Sequence, residues 1–187
     1  HLFHVTCRVE RPDPLGQRFM LPAWIPGSYM IREFARHIVR ISALAGGRRV
    51  ALKKLDKHTW RAPPAKQIEL AYEVYAWDPS VRAAHLDETH GFFNGTSVFL
   101  LPLGLQHEPC TVEILPPAGA RYRSWRIATA LAPARGTRRH SFGAYEATDY
   151  DELIDCPVEM GDFQLGRFSV LDTPHEIAIT GRVPKLD

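Results

Sequence analysis

Apolar and polar residues alternate with a period of two along most of this chain, a pattern that leaves little room for anything but β structure. The clearest stretch is residues 68–77, IELAYEVYAW. In an extended strand Ile68, Leu70, Tyr72, Val74 and Ala76 fall on one side; Glu69, Glu73, Tyr75 and Trp77 fall on the other, with Ala71 among them. Residues 1–10 alternate too, with Phe3, Val5, Cys7 and Val9 on one side. Residues 37–43 and 49–55 flank Gly46-Gly47, a pair able to supply the positive φ angles of a tight hairpin turn. Further short strands are predicted over 97–101, 110–115, 122–127, 167–171 and 176–180. The 15 prolines and 13 glycines punctuate nearly every junction between them. Helix is scarce. Residues 29–36 have the apolar spacing for two turns with Ser28 as N-cap, but run straight into a β-branched strand. Residues 149–154 have room for one turn before Pro157. The reading is an all-β chain, a sandwich or set of curved antiparallel sheets with at most one or two short helical turns, forming one unit over 1–187.

Bulk properties narrow the function classes. A formal charge of +2 gives no reason to expect a nucleic-acid or anionic-membrane partner. The densest basic cluster, Arg135 with Arg138, Arg139 and His140, sits in a Pro/Gly-bounded loop without stacking aromatics and reads as a solvated face. No apolar run approaches the roughly 20 residues of a membrane span. Cys7, Cys110 and Cys156 lie too far apart for a zinc ribbon or a disulfide framework. Free buried thiols are the simpler account, which favours a reducing, cytoplasmic setting over a periplasmic one. The chain starts within an alternating strand without an initiator Met, so it is expected to be trimmed from something longer.

The chemistry-bearing motifs are mostly missing. H-E-x-x-H, which places two histidines on one helical face with a glutamate to activate a zinc-bound water, is absent. The nearest approach, His85-Leu86-Asp87-Glu88-Thr89-His90, has its histidines five apart. On one strand such residues point to opposite faces, so a metal site there needs an irregular loop and a third ligand. No metal ligand and no catalytic residue is assigned. There is no G-x-S-x-G elbow and no Gly-rich phosphate loop.

Three strings stand out. Residues 21–36 (LPAWIPGSYMIREFAR) crowd Trp24, Tyr29 and Phe34 with an Arg32-Glu33 step around a Pro-Gly turn, and read either as a structural corner or as a docking surface. Residues 87–101 group Asp87, Glu88, Thr89 and His90 with Phe92, Phe93 and Asn94 between glycines. They suit a loop presented to a ligand, where an acid could bind a peptide's α-amine, and equally a solvated hairpin with one aromatic anchored inside. Residues 149–163 carry six acids without calcium-loop spacing and read as a bridging segment with capped turns.

Those strings resemble the N-terminal region of the glycyl aminopeptidase family, zinc metallopeptidases that also carry a PDZ domain. The similarity runs through P-A-W-I-P-G-S-Y-M-I-R-E-F-A-R-H (22–37), H-G-F-F-N-G-T-S-V-F (90–99) and D-E-L-I-D-C-P-V-E-M-G (151–161). It implies the N-terminal β domain of a gluzincin-type aminopeptidase, followed downstream by a catalytic domain holding zinc and by the PDZ domain. In this chain no cofactor is expected. By the same resemblance Asp87 or Glu88 meets the substrate's free amine, and Phe92, Phe93 and Asn94 shape a small pocket favouring glycine. Trp24, Tyr29, Arg32, Asp151 and Glu159 face the catalytic domain. The partners implied are that domain and a peptide N-terminus. The alternative is a free-standing module binding peptide or carbohydrate through Trp24, Tyr29, Trp60, Trp77 and Trp125, although Trp60 and Trp77 sit in alternating strands where core packing is the better expectation. An independent hydrolase would need a site that the sequence does not show.

Overall fold

The computed structural model describes residues 1–25 and 27–181. Pro26, half of the Pro-Gly turn read from the sequence, lies outside the described residues. The strands in chain order begin with β1 (Leu2–Val9), β2 (Arg18–Met20), β3 (Ile38–Ala45), β4 (Arg48–Val50), β5 (Lys53–Lys54) and β6 (Thr59–Arg61). Next come β7 (Ile68–Tyr75), β8 (Ala84–Leu86), β9 (His90–Phe93), β10 (Leu101–Pro102), β11 (Cys110–Ile114) and β12 (Arg126–Thr129). The last are β13 (Ala132–Pro133), β14 (Gly143–Ala147), then α1 (Tyr150–Asp155), β15 (Val158–Gly161), β16 (Phe163–Val170) and β17 (Thr173–Thr180). They form antiparallel sheets ordered β1-β7-β3-β4, β10-β2-β6-β5, β11-β14-β13 and β12-β15-β9-β8, with β16-β17 as a separate ribbon. The all-β expectation holds, and α1 is the one α-helix among the described residues.

The alternation of β7 is realised as read. Ile68, Leu70, Tyr72, Val74 and Ala76 are all at most 3% exposed. Ile68, Leu70, Tyr72 and Val74 lie in one apolar core with Phe19, Leu21, Phe34 and Trp60, while Ala76 falls in the second. A second core gathers Phe93, Val98, Ile127, Leu131, Tyr145, Tyr150, Val158 and Met160. Phe3 and Val5 of β1 touch both cores and join them. Gly46 and Gly47 take φ of 55° and 75°, the left-handed pair of the β3–β4 hairpin turn. Helix α1 forms because the Asp149 carboxylate accepts from the Glu152 amide at 2.8 Å while Glu152 accepts from Thr148, a reciprocal N-terminal cap. The three cysteines are free. Cys7 packs on the first core, and burial pushes its thiol up to about 12.

Two local expectations are corrected. Residues 29–36 form no two-turn helix; a single 3-10 turn, Phe34–His37, follows a left-handed Glu33 at φ 44°. Residues 97–101 are not a strand. The Asn94 side chain accepts from the Thr96 amide at 3.1 Å and coils the chain into a 3-10 turn, Gly95–Ser97, before the two-residue β10. Local side-chain capping here outcompetes the ladder bonds that an apolar run would otherwise make.

The segment from Asn94 to Leu100 is buried apart from half-buried Phe99 and lies outside the sheets, so the backbone groups that its own turn leaves over must be met by side chains. The Tyr72 hydroxyl donates to the Val98 carbonyl (2.9 Å) and accepts from the Leu100 amide (3.2 Å). The Tyr150 hydroxyl donates to the Phe99 carbonyl at 2.6 Å. Turn Gly95–Ser97 packs against both α1 and turn Phe34–His37. The three strings that carry the family resemblance therefore converge on one buried segment.

Candidate functional site

The β8–β9 hairpin reverses through Glu88 and Thr89, with Asp87 and His90 closing the turn. The Asp87 amide donates to the His90 carbonyl at 3.0 Å. Register places His85 opposite Phe92 and Leu86 opposite Gly91. Residues directly opposite in an antiparallel pair share a face. His85, Asp87, His90 and Phe92 consequently stand on one face, and Glu159, opposite Phe92 on β15, joins them. The other face goes inward. A Cβ on Gly91 would sit 2.8 Å from the Met160 Cγ and 2.9 Å from the Leu86 Cδ1.

Polar contacts on the outer face are dense. Asp87 Oδ1 accepts from the Thr89 amide (2.6 Å), the Thr89 hydroxyl (2.7 Å) and the His90 amide (3.0 Å), and Oδ2 lies 3.2 Å from His85 Nε2. Burial alone would raise this carboxyl, but the hydrogen bonds from Thr89, His90 and His85 outweigh it and hold Asp87 well below the usual carboxylate range. The His85 and His90 rings lie 5.0 Å apart, centroid to centroid. His90 Nδ1 is 3.1 Å from Glu159 Oε1, and the Thr180 hydroxyl donates to that same oxygen at 2.6 Å. Burial pushes the Glu159 carboxyl up, partly offset by Thr180 and His90. Trp77 lies half-exposed against the group, with its ring 5.0 Å from His85 and 3.9 Å from His1.

The geometry distributes the sequence-derived residues unevenly. Asp87 is held inside the turn by its own hydrogen bonds. Glu88 is at the tip, its side chain 74% exposed, paired with Arg121 at 2.5 Å. Phe92 is half-buried on the outer face. Phe93 points the other way into the second core, edge-on to Phe3 and Phe99 at 5.4 Å each. Asn94 is buried as the cap described above. The five residues thus do not line one cavity.

Glu159 belongs to the hairpin cluster through His90, a link the sequence reading did not contain. His85 and His90 come to one face because they sit on opposing strands across a two-residue turn; the single-strand geometry that sets them apart does not apply. Trp77, expected in the core, is 51% exposed, whereas Trp60 and Trp125 are buried. That burial removes two members of the aromatic platform considered for a binding module.

Of the other residues expected to face a catalytic domain, Trp24 is 49% exposed and Tyr29 fully so, with Met30 and Ile31 also exposed beside them. The Trp24 indole donates to the Ser28 carbonyl, and Arg32 Nε lies 3.4 Å from the Ser28 hydroxyl. Asp151 is exposed in the first turn of α1. Four neighbouring large apolar side chains in solvent form the kind of patch that marks a contact surface.

Comparison with known proteins gives these features a family. Residues 1–162 match the Peptidase M61 N-terminal domain, a match that ends one residue before β16. The fold is similar to that of an aminopeptidase N family protein from Idiomarina loihiensis, with a TM-score of 0.91 and 37% identity. The likeness covers 97% of this chain and 30% of that one, so this chain spans under a third of that protein's length. Among curated proteins none is similar enough to match. Among the described residues no helix is long and apolar enough to cross a membrane. With the family match over most of its length and the same fold in an aminopeptidase N family protein, the chain belongs to the Peptidase M61 N-terminal domain family.

Proposed function

We propose that this chain is the non-catalytic N-terminal domain of a glycine-preferring zinc aminopeptidase, and that the β8–β9 hairpin walls the cleft and presents Glu88 to the substrate's free amine. The observation that carries the amine contact is the contrast between the two acids. Asp87 holds the turn through Oδ1 and turns Oδ2 toward His85. Glu88 has one exposed partner, Arg121. A surface ion pair of this sort contributes about 0–1 kcal/mol, so an incoming ammonium can displace it at little cost. Within a water-poor cleft a carboxylate holding that ammonium fixes the register in which only the first residue is cleaved. Phe92, half-buried on the outer face of the same hairpin, is the aromatic of the string proposed to narrow the cleft.

Zinc, held by residues outside this chain, would supply Lewis-acid polarisation of the scissile carbonyl and an activated water. The His85–Asp87–His90 group does not fit that role, because it lacks the H-E-x-x-H arrangement and its nearest carboxylate, Glu159, is engaged by His90 and Thr180. The test is Glu88→Gln in the longer enzyme, assayed on a glycyl anilide. kcat/KM is expected to fall about 10–100-fold, the range for losing a charge-assisted contact of 1.5–3 kcal/mol. An unchanged kcat/KM would exclude Glu88 as the amine contact.

The catalytic domain is the occupant proposed for the patch around Trp24 and Tyr29, and a PDZ domain further along belongs to the same reading. The Trp24 contribution, taken as the difference from Trp24→Phe because Trp77 is exposed too, is expected to be open to acrylamide quenching in this chain alone and protected in the longer protein. Equal quenching in both would place the catalytic domain elsewhere.

A further inference from the structure

We infer that His85, Asp87 and His90 form a second metal site, separate from any peptidase zinc, suited to a divalent ion of the zinc class. One ligand atom from each residue lies within 4.8 Å of those of the other two. Two imidazoles and one carboxylate make a nitrogen-rich set of borderline hardness, which selects zinc, nickel or copper over magnesium or calcium. With three protein ligands, water completes a tetrahedral shell.

Three further features suit a metal better than a plain hydrogen-bond cluster. First, His85 is 8% exposed, yet its Nδ1 is buried with no hydrogen-bond partner. If the ring proton is on Nε2, toward Asp87, the Nδ1 lone pair is unmet. If it is on Nδ1, a buried donor is unmet and the Nε2 lone pair faces a carboxylate. Either tautomer leaves a buried polar atom unsatisfied, which disfavours both. A cation between His85 Nε2 and the Asp87 carboxylate removes that lone-pair repulsion and so favours the Nδ1–H tautomer, with Nδ1 itself still unmet. Second, Glu159 engages His90 at Nδ1, leaving Nε2 as the ligating nitrogen, and Thr180 holds Glu159 in turn. A carboxylate behind a histidine is the outer-shell arrangement that orients metal ligands. Third, the backbone already positions the ligands. The two histidines are on paired strands and Asp87 is fixed by the turn, so little conformational entropy is lost on binding.

The experiment is equilibrium dialysis of the 187-residue chain against zinc, with near-ultraviolet circular dichroism to check folding. Asp87→Asn keeps the acceptor for the turn and removes the charge. His90→Gln alters a partly exposed ring and leaves the buried His85 in place. One zinc per chain is expected, bound at least tenfold more weakly by each of these variants. Glu159→Gln, which touches the ion only through His90, is expected to weaken binding about tenfold. A folded chain that binds no zinc, or that keeps its affinity in both ligand variants, would overturn the assignment.

Discussion

Replacing Phe93 by alanine is expected to destabilise the chain by about 3–5 kcal/mol, the usual cost of truncating a buried phenylalanine. In a chain of this size that lowers the melting temperature by roughly 6–20 °C. The argument is geometric. Phe93 follows Phe92 on β9 and so takes the opposite face, where it is 4% exposed and meets Phe3 and Phe99 edge-on. Phe3 also touches the first core, so the cavity would open near the junction of the two cores. Were Phe93 a wall of a substrate pocket instead, alanine would alter substrate preference and leave stability nearly intact. Thermal unfolding followed by circular dichroism separates the two, with Phe92→Ala as the partner measurement. Phe92, on the outer face, is expected to cost far less.

Tyr72→Phe is the second large effect, and it comes from one oxygen. The Tyr72 hydroxyl is the donor to Val98 and the acceptor from Leu100 in a buried segment with no ladder partners. Phenylalanine keeps the ring packing and leaves that carbonyl and that amide without this partner. Each unmet group costs about 1–3 kcal/mol, so a loss of about 2–6 kcal/mol is expected in urea unfolding. A loss under about 0.5 kcal/mol, the range of a neutral surface change, would mean that water enters and replaces the hydroxyl. Burial keeps this phenol well above its usual pKa, so its protonated form persists across the accessible pH range.

Where side-chain period and backbone period coincide, the sequence was a reliable guide. Strand β7 is half of every sheet pairing it makes, and its inward residues are those that alternation selects. Gly46-Gly47 specified a turn because few other residues tolerate two successive left-handed φ angles. Residues 149–154 read as room for one turn, and α1 forms there with Asp149 as its cap. What stayed hidden depends on tertiary partners. Residues 97–101 read as an apolar strand, but Tyr72 and Tyr150, distant in sequence, bond Val98, Phe99 and Leu100, and only Leu101 joins a ladder. Asn94, assigned to the pocket through the resemblance, is buried and caps the turn Gly95–Ser97, a role that no local pattern announces. His85 and His90 were judged by the period of a single strand, and a turn between them reverses that rule. An earlier signal was available: two strand-like pieces separated by Asp87 to Thr89 suggest a hairpin, and a hairpin with that register pairs its ends on one face. Trp77 follows the alternation faithfully, on the outward side with Glu69 and Glu73; the error was to expect core packing for any tryptophan in an alternating strand.

The most direct test of the accessory-domain reading is hydrolysis of a glycyl anilide by this 187-residue chain supplied with zinc, beside the longer enzyme that contains it. The account predicts turnover by the longer enzyme and none by the chain, even when zinc occupies His85, Asp87 and His90. Turnover by the chain that His90→Gln abolishes would contradict it, because a catalytic centre would then lie within residues assigned here to structure and binding.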